Sequence, residues 1–161
     1  MLKFQPDPVA STIIGAAIEV HRCLGPGLME SVYQTCMAHE LRQRGLQLET
    51  EVAVPVMFKG IRMERGFRLD FLVDGGVIVE VKCVERLLAI HTAQVLTYLR
   101  LTGARQVLLF NFNEVTLIDG LKSFLGPGTL VPSESGKGPP LPKSNQDSHQ
   151  EDSHHEGHED P

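Results

Sequence analysis

The chain has 161 residues, enough for about one domain with a real core. Its 42% apolar and 22% charged content are those of an ordinary globular protein, which excludes a fibrous repeat or a wholly disordered chain. No apolar run approaches the ~20 residues that span a bilayer, and Met1–Asp7 lacks the apolar stretch of a signal peptide, so a cytoplasmic protein is expected.

The net charge of −5 is unevenly spread. Before residue 126 there are 13 Lys+Arg and 13 Asp+Glu; after it, two and seven. The first part is therefore near neutral, which excludes a broad basic surface of the kind that grips nucleic acid non-specifically. Any such contact must come from local groups, a metal or a partner. Cys23, Cys36 and Cys83 are odd in number and follow no zinc or redox spacing. They are expected to be small buried thiols, kept reduced.

Asp7-Pro8 predicts a helix start, a capping residue followed by proline at the first helical position. Val9, Ile13, Ile14, Ala17, Ile18 and His21 continue at helical spacing until Gly25-Pro26-Gly27 stops the pattern. His21 reads as a core histidine with its nitrogens satisfied. A second helix is expected from about Leu28 to Arg44, with Val32, Cys36, Met37 and Leu41 inside and Gly45 as its stop. The period then changes to two. Glu51–Phe58 reads as a strand, irregular or at an edge because of Pro55. Gly66–Val73 and Val77–Cys83 follow as strands, then a helix over Ile90–Thr102 ending at Gly103. Val107–Phe112 and Val115–Ile118 read as short strands, and Leu121–Leu125 as a last helical turn. The boundaries that follow are a folded domain over residues 1–125 and a tail over 126–161. The tail is rich in Pro, Gly, Ser, acids and His and cannot bury enough apolar surface to offset ordering. It reads as a solvated acidic segment; its histidines (His149, His154, His155, His158) could chelate metal only weakly.

The two central strands carry the chemistry. Phe67, Leu69, Phe71 and Val73 alternate on one face, as do Val77, Val79, Val81 and Cys83 on the next strand. A three-residue loop, Asp74-Gly75-Gly76, keeps those faces matched by pairing Val73 with Val77 and Phe71 with Val79. A two-residue loop would mix them. The same register sets Asp70 opposite Glu80, Arg68 opposite Lys82 and Leu72 opposite Ile78. Two carboxylates so placed repel and need a cation or a shared proton. One reading has Arg68 and Lys82 neutralise them on a solvated face. The other has them hold a hard ion, Mg²⁺ or Mn²⁺, since no His/Cys set competes.

An acid on one strand and Glu80-Val81-Lys82 on its neighbour, between helices, resembles the core of the PD-(D/E)XK nuclease superfamily. Gln94-Val95-Leu96-Thr97-Tyr98 resembles the Gln-x-x-x-Tyr helix of its RecB-like branch. Gly27-Leu28-Met29-Glu30-Ser31-Val32-Tyr33 resembles the signature of the small bacterial GxxExxY proteins. The resemblance covers roughly Val9 to Leu125 and implies an α/β fold with an α-β-β-β-α-β core. It implies that Asp70, Glu80 and the carbonyl of Val81 hold the metal, that Lys82 supports the attacking water and the transition state, and that Glu30 completes the site. Gln94, Tyr98 and Tyr33 would line the substrate pocket, although Tyr33 also suits helix–sheet packing with a satisfied hydroxyl. The expected function is Mg²⁺-dependent hydrolysis of phosphodiester bonds in DNA. The alternative is a non-catalytic binding or adaptor module, with a protein partner, on the same fold.

Overall fold

The computed structural model describes residues 7–128. Helix α1, Pro8–Leu24, begins as expected: the Asp7 carboxylate accepts from the amides of Val9 (2.8 Å) and Ala10 (3.2 Å). Helix α2, Glu30–Gln43, starts two residues later than its spacing suggested. It ends where Gly45 takes a left-handed conformation (φ 79°), with Leu46 N–H donating to Leu41 O and Gly45 N–H to Arg42 O. Its buried face is Tyr33, Met37, Ala38 and Leu41. Val32 is exposed, a correction to the expected inner face, because the bulkier ring of Tyr33 one position on takes the core-facing direction.

Five strands form one mixed sheet in chain order: β1 (Leu48–Phe58), β2 (Ile61–Val73), β3 (Val77–Lys82), β4 (Gln106–Asn111) and β5 (Leu121–Leu125). All neighbours are antiparallel except β3 and β4, which run parallel because helix α3 (Ala89–Thr102) carries the chain back between them. β1 and β2 are longer than the alternation suggested, meeting at Lys59-Gly60, both at positive φ, in a two-residue hairpin turn. Pro55 sits at the irregularity between Val54 and Val56 on the edge strand, as its missing N–H requires.

Two expectations near the end are corrected. Residues 115–118 form no strand; the chain turns there into a short 3-10 segment, Leu117–Gly120. Leu121–Leu125 is strand β5, not a helical turn, and pairs Leu121 with Phe110 and Phe124 with Val107. Leu121 packs on one core cluster and Phe124 on the other, which residues three apart on a helix, sharing one face, could not do. Gly120 allows the preceding turn, since a Cβ there would stand 2.6 Å from the Asn111 carbonyl oxygen.

The sheet separates two cores. α1 and α2 cover one face, over Phe71, Val73, Val77, Val79, Val81, Leu108 and Phe110. α3 covers the other, over Leu69, Ile78, Val107 and Leu109. β3 and β4, apolar on both sides, are buried almost throughout, as a parallel pair between helix layers must be. No helix among the described residues is long and apolar enough to cross a membrane. The cysteines there are free thiols, but Cys23 is exposed and Cys36 and Cys83 are half-buried, where buried thiols were expected. His21 is buried, its Nε2 2.8 Å from the Glu114 carbonyl, as expected of a core histidine. The predicted tail lies outside the described residues from 129 onward.

Candidate active site

The hairpin register holds for three pairs: Val73–Val77, Leu72–Ile78 and Phe71–Val79. Beyond Phe71 the two strands part. Asp70 and Glu80 are not ladder partners, and neither are Arg68 and Lys82. Arg68 pairs instead with Ala53 of β1 and reaches Glu51 at 3.5 Å, while Lys82 pairs with Asn111 of β4. The departure coincides with a backbone irregularity on the neighbouring strand. Glu51, between the pairs Thr50–Phe71 and Val52–Leu69, adopts φ 52°, and across from it the alternation of β2 slips. Leu69 turns to the α3 side while Phe71 and Val73 stay on the α1–α2 side, so the single apolar face expected for Phe67–Val73 is corrected.

This parting builds the site. The Asp70 carboxylate takes the place of a ladder bond, its Oδ2 accepting from the amide of Val81 at 2.9 Å. Glu80 is 4% exposed, in the middle of the buried run of β3. One of its oxygens lies 3.3 Å from Lys82 Nζ; the other, Oε2, is buried without a hydrogen-bond partner among the described residues. Burial and then the Asp70 charge push the Glu80 carboxyl up to about 7, against the opposing pull of Lys82. Burial also raises Asp70, opposed by the Val81 amide and by a hydrogen bond from Gln34. Of the reading in which cations neutralise the acids on a solvated face, the Lys82–Glu80 ion pair is present, but Glu80 is buried rather than solvated.

Because the strands part, helices on both faces reach the carboxylates. From α2, Glu30 stands in the field of Lys82 and Asp70 and accepts from the Cys83 amide; burial raises its carboxyl. Gln34, one turn later, is 3.5 Å from Glu30 Oε1 and also bonds Asp70, tying the two acids together. Sequence reasoning missed Gln34; its spacing of four from Glu30 was the available signal. From α3 comes Tyr98, 8% exposed and stacked on Phe67 (4.6 Å between centroids, 6° between planes). Its hydroxyl is pushed up to about 12 by burial and then by the charges of Glu80 and Asp70. Gln94, one turn earlier, lies with Tyr98 on the wall of an open groove and makes no hydrogen bond to the acids among the described residues.

Tyr33 lies elsewhere. It is fully buried in the α1–α2 core, stacked on Phe112 at 4.7 Å. Its hydroxyl donates to Gly25 O (2.5 Å) and accepts from Leu28 N–H (3.1 Å), pinning the loop that leads into Glu30. The expected place in a substrate pocket is corrected to a packing role. Tyr33→Phe is expected to lower the unfolding free energy by about 1–2 kcal/mol in a urea titration, because it strands the Leu28 amide and the Gly25 carbonyl. An unchanged midpoint would show that water replaces both bonds.

Two carboxylates, an ammonium and a third acid thus converge where β2 and β3 separate, with the Val81 amide bonded to one of them. Among the described residues no group of three or more His, Cys, Asp or Glu side chains is arranged to hold a metal. Comparisons with curated proteins and with solved structures return no match. A sequence profile of the PD-(D/E)XK nuclease superfamily matches residues 7–124, which takes in both helix layers and nearly all of the sheet, and the chain belongs to that superfamily.

Proposed function

We propose that the protein is a Mg²⁺- or Mn²⁺-dependent nuclease of the RecB-like, GxxExxY type that hydrolyses phosphodiester bonds in DNA. The observation that carries this reading is Glu80: a buried carboxylate with one oxygen unpartnered, set beside a second carboxylate. Leaving such an oxygen unpaired costs free energy that a cation would offset. Nucleases of this superfamily usually use divalent metals, and an all-oxygen donor set of Asp70, Glu80 and the Val81 carbonyl suits Mg²⁺ or Mn²⁺. When bound, such an ion polarises the scissile phosphate and makes hydroxide available near neutral pH.

The chain's own groups supply the rest. Lys82, at the exit of β3 and tethered to Glu80, places an ammonium where negative charge develops on the phosphate oxygens. Glu30, its carboxyl raised by burial, is suited to hold or pass the proton of an attacking water. Gln34 keeps Glu30 and Asp70 in mutual reach. Catalysis and binding separate experimentally: purified protein with Mg²⁺ or Mn²⁺ is incubated with supercoiled, linear, nicked and single-stranded DNA and with RNA. DNA cleavage is expected, falling about 10²–10³-fold in Lys82→Ala. No cleavage of any form, with Lys82→Ala indistinguishable from wild type, would falsify the enzymatic reading.

A second reading, a non-catalytic binding module, is favoured by the near-neutral charge of the folded part, which gives little grip on a duplex. It predicts thermal stabilisation by metal without hydrolysis.

A further inference from the structure

The β1–β2 hairpin runs on beyond both cores. No residue from 57 to 66 belongs to either core cluster, and all ten are exposed. A two-stranded ribbon standing alone is marginally stable in water. Yet this one carries Met57, Phe58, Ile61 and Met63 near its tip, with Phe58 60% and Ile61 62% exposed. Four of the 13 cations that precede residue 126 also lie within residues 59–68. Glu64 answers Arg62 at 2.5 Å, and Glu51 answers Arg68 at 3.5 Å. Lys59 lies over the Phe58 ring, 5.5 Å from its centroid, and Arg65 is in no ion pair among the described residues. An apolar tip with two surplus cations, covered by nothing else in the domain, suits an anionic partner that also brings flat or aliphatic groups.

We propose that this hairpin tip holds the acidic end of the chain itself, residues 147–160. Six of the seven acids that follow residue 126 fall there, with His149, His154, His155 and His158 and no Lys or Arg. Carboxylates meet Lys59 and Arg65, and imidazole rings offer Phe58 and Ile61 an apolar body. Length decides which part of the tail arrives. β5 ends at the Val73–Val77 end of the sheet, because Leu125 pairs with Gln106 and Gln106 with Val77. The hairpin tip is therefore about 40 Å away along the 13-residue β2, and about 15 Å across three strand spacings. From Gly128 to Asp147 is 19 residues, at most about 65 Å of chain, whereas the six residues to Glu134 span only about 20 Å. The acidic cluster is the part that reaches, and Lys137 and Lys143 stay in the spacer. Tethering supplies what two surplus cations lack, an effective concentration on the order of millimolar, ahead of a free polyanion or a lipid surface. The same hairpin walls the groove beside Tyr98 through Val56, Met57, Gly66 and Phe67, so the docked tail borders that opening. The inference is independent of the nuclease reading.

The test is carbodiimide coupling of the full chain, which joins a carboxylate to a lysine only where the two touch, read by peptide mass spectrometry. The chain has six lysines, and Lys122 on β5, much nearer the start of the tail than Lys59, is the internal control. In about 20 mM salt, Lys59 is expected to be joined to acids within residues 147–160 in preference to Lys122. The link should disappear in 1 M salt, where the screening length is about 3 Å. It should fall at least about threefold in Arg65→Glu, an exposed position, with the thermal midpoint unchanged. Absence of a Lys59 link, coupling of Lys122 as readily, persistence in 1 M salt or indifference to Arg65→Glu each overturns the proposal. Mixing ¹⁵N-labelled with unlabelled chains identifies other occupants. Links that carry one labelled and one unlabelled peptide make the hairpin a contact between copies and overturn it too. So does loss of the Lys59 link on adding phosphatidylcholine–phosphatidylserine vesicles, which makes a lipid surface the partner.

Discussion

Glu80→Gln is expected to abolish DNA cleavage, by on the order of 10³-fold or more, while making the metal-free protein more stable at pH 8. The two effects have one cause. Glu80 is a buried acid beside Asp70, with one oxygen that has no hydrogen-bond partner among the described residues. Its folded value of about 7 lies above the 4.5 of an unperturbed glutamate, so the folded state holds that proton more tightly than the unfolded chain. Below about 4.5 both states are protonated and nothing is lost. Between 4.5 and 7 the unfolded chain has released the proton and the folded chain has not, so stability falls as pH rises. Above 7 the full penalty is present, on the order of 3 kcal/mol. Asp70 and Glu30, both raised, act in the same direction.

A neutral amide escapes this penalty. Thermal unfolding in EDTA should therefore show wild type losing stability from pH 5 to pH 8 and Glu80→Gln losing much less, the two curves converging toward pH 4.5. Adding Mg²⁺ should raise the wild-type midpoint, more at pH 8 than at pH 5.5, because the ion must displace the proton from Glu80. The variant should not respond. Coincident pH profiles for the two proteins, or equal Mg²⁺ responses, would show that Glu80 is not the strained acid described here.

How far the sequence disclosed this site depends on the scale considered. The loop Asp74-Gly75-Gly76 and the first three ladder pairs follow from matching apolar faces, because a slip by one residue turns a whole set outward. The same logic failed two residues further on. It assumes that alternation continues, and at Asp70 the strand twists so that a side chain, not the backbone, takes the Val81 amide. The acids therefore meet, but by parting strands rather than by facing each other across a ladder. Nothing in a local pattern announces that twist; its partner, Glu51 at positive φ, is an ordinary-looking glutamate on an edge strand. Strand β5 was hidden for a related reason. Its five residues alternate too little to show a period, and only pairing with β4 defines them. Resemblance supplied Glu30 and Tyr98, which local periodicity could not connect to the hairpin. It gave no role to Gln34 or to Asn111, polar residues whose importance comes from what tertiary structure brings against them.

Asn111→Ala is the second substitution with a large expected effect. Asn111 is fully buried at the end of β4, the ladder partner of Lys82. Its Oδ1 accepts from the amides of Val84 (3.1 Å) and Asn113 (3.2 Å), and its Nδ2 donates to the Val84 carbonyl (2.9 Å). The Phe112 amide donates to the Lys82 carbonyl at 2.9 Å. The chain leaving β3 is thus clasped from the neighbouring strand two residues beyond Lys82, where no further ladder exists to hold it. Truncation strands two N–H groups and a carbonyl, and a loss of about 2–4 kcal/mol is expected in chemical denaturation. Asn111→Asp, which keeps the two accepted bonds but not the donated one, should fall between alanine and wild type. If the clasp also positions Lys82, cleavage per folded molecule, measured well below the unfolding midpoint, should drop through kcat with KM little changed, since an ammonium acting on developing charge adds little to ground-state binding. A variant that loses stability yet keeps wild-type kcat would reduce Asn111 to a brace for the fold and leave Lys82 held by its contact with Glu80 alone.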